Sequence, residues 1–142
     1  MTSNLHSALS QQVANLEGLG LLLEKELHLI SSRDPETLIN LLEEKSELLE
    51  LIQATDQQVE GFYRQTSADA VSADEQGLMD KAKSLLDDCK YRTQINQKAV
   101  EQGQLRLTHL RNLMLEVRAK ESLTYDKKGK PNAGRLGSGV SA

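Results

Sequence analysis

The chain has 142 residues, of which 38% are AVILMFWYC, 27% are charged and only 3% are aromatic. That length suits one domain rather than two. The absence of Trp, the single Phe and the missing β-branched runs exclude a β-sandwich or barrel and argue against a large aromatic cofactor pocket. The net charge of −4 conceals an asymmetry, since residues 119–142 hold five Lys/Arg against two Asp/Glu, a balance of +3 that leaves the body at −7. An acidic body with a small basic tail excludes nucleic acid as a partner, because that affinity comes from a basic surface neutralising phosphates.

The first helix is expected from about Asn4 to Ile30. Leu5, Leu9, Val13, Leu16, Leu19, Leu23, Leu27 and Ile30 recur at intervals of three and four, which makes one near-heptad stripe. Gly18 and Gly20 interrupt it at roughly 1 kcal/mol each relative to Ala, so close approach of another helix is expected there. Asp34-Pro35 marks the next start, with an N-cap residue followed by the favoured first helical residue.

The second helix runs from Pro35 to about Gln65. Its stripe is Leu38, Leu41, Leu42, Leu48, Leu49, Ile52, Val59 and Phe62. Glu36, Glu43, Glu44, Glu47, Glu50, Asp56 and Glu60 make its other face acidic, read as a solvated face rather than a metal site. The small polar residues 66–73 form a connection. Ser72 and Glu75 have the spacing of a capping box, so the third helix begins there and continues to about Ser122.

The third helix would be roughly 75 Å long if continuous, at 1.5 Å per residue. Leu78, Ala82, Leu85, Cys89, Ile95, Ala99 and Gly103 lead into Leu107, Leu110, Met114 and Val117 along its stripe. Whether it kinks near Gly103 stays open. Residues 123–142 are rich in Gly, Ser and Lys, and are expected to form a flexible basic tail. The fold class is therefore all-α, a long antiparallel helical hairpin or three-helix bundle of coiled-coil type. The expected organisation is one helical domain over 1–122 followed by the tail.

Catalytic and metal motifs are missing. His6, His28 and His109 are scattered, and no Glu-x-x-His pair of the di-iron bundles occurs. Gly134–Gly139 lacks the strand and the Gly-Lys-Ser/Thr of a phosphate loop. Cys89 is alone, which fits a reducing cytoplasm and a small buried hydrophobe. No apolar run approaches the roughly 20 residues of a membrane span, and Met1–Asn4 does not open a signal peptide. No cofactor, enzymatic activity or stable membrane insertion is expected. The unspent signal is Leu107, Leu110, Leu113, Met114 and Val117, more apolar surface than a short bundle covers. Such a stripe invites another helix, either a partner's or that of a second copy in a homodimer.

Leu22-Leu23-x-x-Glu26, then Asp34, Leu38, Leu42, Lys45, Leu48-Leu49 and Ile52, resembles the FlgN family of bacterial flagellar export chaperones. Cys89 with Asn96 in a long polar helix, and Tyr125-Asp126-x-x-Gly129 after it, extend the likeness over nearly the whole chain. Thr93 and Gln97 depart from a frequent family pattern of two Asn three residues apart, the second followed by Gly. The resemblance implies a cytoplasmic, non-enzymatic chaperone. It would hold the C-terminal amphipathic helices of the hook–filament junction proteins and prevent their premature assembly. It would then deliver them to the type III export gate and its export ATPase complex, with Tyr125 contacting the gate. The alternative from another class is a structural coiled-coil scaffold or homo-oligomerisation subunit.

Overall fold

The computed structural model describes residues 3–32 and 34–126. Three α-helices follow one another: α1 (Asn4–Ser32), α2 (Pro35–Gln65) and α3 (Ala73–Asp126), with a short 3-10 turn at Ala68–Ala70. No strand occurs among the described residues. The fold is the expected all-α helical bundle. The chain divides into two units at Val100, within α3. The expected tail, apart from residues 123–126 in α3, lies outside the described residues.

The helix starts follow local chemistry. Asp34 accepts from the Thr37 backbone N–H at 3.2 Å and from its hydroxyl at 2.8 Å, while Pro35 opens α2. Ahead of α3, the Ser72 hydroxyl accepts from the Glu75 N–H at 3.0 Å and a Glu75 carboxylate oxygen accepts from the Ser72 N–H at 2.9 Å. This is the reciprocal capping box, which satisfies two backbone donors left over at the helix start. The other Glu75 oxygen accepts from the Ser3 hydroxyl at 2.7 Å, so the same carboxylate ties the start of α3 to the start of α1.

In the first unit, α2 runs antiparallel to α1, since Gln12 donates to the Ile52 carbonyl at 2.9 Å and Glu26 pairs with Lys45 at 3.1 Å. The α3 part runs parallel to α1. Ser3–Glu75, Leu16–Cys89 and Leu23–Asn96 hold a near-constant offset of 72 to 73 residues. The order is thus up-down-up. Helix α1 is central: among the described residues, all the buried apolar ones belong to it except Leu41 of α2 and Cys89 of α3. Leu19, Leu23 and Cys89 form the tightest cluster, with Leu48 and Ile52 packed against it.

Several expected stripe positions prove different. Leu42 and Leu49 are exposed, because the seam of α2 passes through Leu41, Lys45, Leu48, Ile52 and Thr55, one step round the helix. In α1, Gln12, Asn15 and Glu26 are buried among the leucines. No close helix approach explains the glycines either. A methyl at Gly18 would sit in ordinary contact with Leu48 at 3.7 Å, and at Gly20 it would meet open space. The acidic residues of α2 are all exposed, as a solvated face requires.

The Glu75 cap has a pH consequence. The Ser72 N–H first, and then the Ser3 hydroxyl, hold its carboxyl below the ordinary 4.5. Asp34 is lowered likewise, by the Thr37 hydroxyl and then the Thr37 N–H. A carboxyl whose pKa is lower folded than unfolded stabilises the fold above its unfolded value. That contribution is lost as pH falls through the folded value. The melting temperature should therefore drop on acidification below 4.5, and Glu75→Gln should make the drop shallower. Identical acid profiles for the two proteins would exclude the coupling.

Candidate functional site

The second unit begins at Glu101, within α3. Leu107, Leu110, Met114 and Val117 fall at steps of three and four. At 100° per residue they share an arc of about 80°, and Leu113, about 40° further round, widens it to about 120°. All five are exposed, from 43% at Leu113 to 61% at Leu107. Five apolar side chains on one exposed helical stripe can take up a second amphipathic helix. Arg106, Arg111 and Arg118 are exposed on the same stretch, which supplies charge beside that apolar face.

Tyr125, expected in the tail, falls within α3, and its side chain lies outside the described residues.

The first unit holds a second feature that sequence reading did not assemble. Asn96 donates to the Leu23 carbonyl at 2.9 Å and to a Glu26 carboxylate oxygen at 2.7 Å. Lys45 completes the layer from α2, 3.1 Å from the other oxygen. Glu26 and Asn96 are buried, so their hydrogen bonds offset the cost of leaving water. These residues belong to the motif that carried the family likeness, yet nothing in their spacing showed that they meet. The available signal was their heptad position: Glu26, Lys45 and Asn96 occupy seam positions of three different helices. Beside this layer lies a groove of about 260 Å³ walled by Ile30, Leu38, Leu42 and Val100. A wider one, about 550 Å³, runs between α1 and α2 over Leu41, with Glu24, His28 and Glu44 among its lining residues.

Cys89 is 3% exposed, with its sulfur 3.6 Å from the Leu16 carbonyl. Burial first, and then the Asp88 carboxylate, push its thiol up, the opposite of an activated thiolate. Cys89→Ser should lower stability by about 1–3 kcal/mol, the cost of a buried hydroxyl without a good partner. Chemical denaturation measures this. Equal stability of the two proteins would show that the serine finds a partner. Among the described residues, no group of three or more His, Cys, Asp or Glu could hold a metal, and no helix is long and apolar enough to cross a membrane.

These features define an all-α helical bundle with an exposed apolar helix face. The family model described as FlgN protein matches residues 1–133. The chain belongs to the FlgN family, the flagellar export chaperones. No curated protein and no solved structure matches it.

Proposed function

We propose that this export chaperone works in the cytoplasm. It binds the C-terminal amphipathic helices of the hook–filament junction proteins, keeps them from assembling early and delivers them to the export gate. The observation that carries this reading is the exposed stripe Leu107, Leu110, Leu113, Met114 and Val117 in a chain of the export chaperone family. A client helix lies along the stripe through anchors three and four residues apart. Free clients have apolar faces that assemble prematurely, and the stripe covers those faces until export. Residues 1–122 are the chaperone body in this reading, and 123–142 are the docking segment.

Titration of the junction proteins' C-terminal segments into the full chain tests the proposal. Saturable binding is expected, and a folded chain that takes up neither segment would overturn it. The same face could instead join two copies of the chain as a scaffold. Light scattering over a range of concentrations separates the two, because a scaffold stays oligomeric throughout and has no free stripe for a client.

Delivery is assigned to Tyr125, which offers contact area and one hydroxyl at low side-chain entropy cost. Tyr125→Ala should weaken binding to the cytoplasmic domain of the export gate by about tenfold, the loss of roughly 1.4 kcal/mol. Client affinity and melting temperature should not change. A lowered melting temperature with unaltered gate affinity would make Tyr125 a packing residue instead.

A further inference from the structure

We infer that the buried layer Glu26–Lys45–Asn96 is a register lock, fixing the first-unit part of α3 against the α1–α2 hairpin. The seam of α3 runs on a heptad through Glu75, Leu78, Leu85, Cys89 and Asn96. Apolar residues recur along the whole seam, so apolar burial alone does not choose one alignment. The structure buries Cys89 and Asn96 on this seam.

Hydrogen bonding supplies the missing selection. A heptad seam is nearly indifferent to sliding by one repeat, about 10 Å of helix at 1.5 Å per residue. Such a slide would carry Asn96 from Glu26 toward Leu19 and bring Gly103 to Glu26. A buried carboxylate and a buried amide would each lose a partner, the Leu23 carbonyl would lose its donor, and Lys45 would face Glu26 without the amide beside it. Two further contacts act in the same direction. Ser3–Glu75 fixes α3 at its start, and Asn15–Thr55, at 3.2 Å, fixes α2 against α1. Of these hydrogen-bonded contacts, the Glu26 layer alone joins all three helices. A polar group at one seam position is known to fix register in this way, at a cost in stability.

The triple variant Glu26→Leu, Lys45→Leu, Asn96→Leu tests it without any client. It should remain helical and melt no lower than the original chain, because apolar replacement of a whole buried polar group removes its desolvation cost. Hydrogen exchange read by mass spectrometry reports the register. In the original chain, amides of 75–99 should exchange far more slowly than those of 103–121. In the variant, the ratio of the two protections should fall by on the order of tenfold as slipped registers become populated. An unchanged ratio overturns the inference. So does unfolding of the variant, since the layer would then hold the bundle together rather than choose among its registers.

Discussion

Replacing both Leu110 and Leu113 with aspartate should abolish client binding while leaving the melting of the bundle where it was. Both side chains are already about half in water in the free chain, at 54% and 43% exposure, so little packing is lost. Surface changes of this kind usually shift stability by no more than about 0.5 kcal/mol. In a complex with a helix seated on the stripe, each leucine would contribute roughly 1.5–3 kcal/mol by leaving water. Losing two removes about 3–6 kcal/mol, a factor of roughly 10² to 10⁴ in affinity at 1.4 kcal/mol per decade. Two carboxylates forced against apolar client side chains add a desolvation cost. Calorimetric titration gives the affinity, and circular dichroism confirms that helicity is kept. Client affinity equal to that of the original chain would remove the stripe as the binding surface. The whole-stripe assignment would then pass to the grooves of the first unit, whose walls Ile30, Leu38 and Leu42 lie outside this substitution.

Leu23→Ala should be among the most damaging single changes to the fold. Leu23 is 1% exposed and sits in the cluster of Leu19 and Cys89, against Leu48 and Ile52. Its removal loses transfer energy and leaves a cavity that three helices must close, at about 2–5 kcal/mol. For a chain of this size, each kcal/mol is worth about 3–5 °C, so the melting temperature should fall by roughly 6–25 °C. Leu21→Ala, two residues away on the same helix, is the internal control. Leu21 is 62% exposed, and its truncation should cost less than about 0.5 kcal/mol. Thermal and urea unfolding of both variants decide the matter. Comparable losses for the two would mean that Leu23 is not the centre of the core.

Much of the helical layout was legible before any coordinates, and for local reasons. Asp34-Pro35 and Ser72-x-x-Glu75 place their capping bonds within three residues, so no distant contact is needed to read them. The leucine spacing of α1 likewise gave its buried face. The second helix was harder. Leu42 and Leu49 read as core because they are leucines, whereas Lys45 and Thr55 hold the seam because of where α1 lies. Hydropathy ranks residues one at a time, while burial depends on which arc of the helix faces a neighbour.

For the candidate surface, the sequence by itself determined that the apolar stripe from Leu107 to Val117 exists, since its spacing is a property of one helix. It also carried the family motif containing Glu26, Lys45 and Asn96. Tertiary structure alone decided that the stripe is exposed while Cys89, on the same helix, is buried. It alone brought three polar residues, each one interruption of an apolar seam, into a single hydrogen-bonded layer. The physical reason is that a heptad repeat specifies a face but not a register. An apolar seam accepts its partner at several positions along its length, and directional bonds between residues 19 and 70 positions apart in the chain remove that freedom.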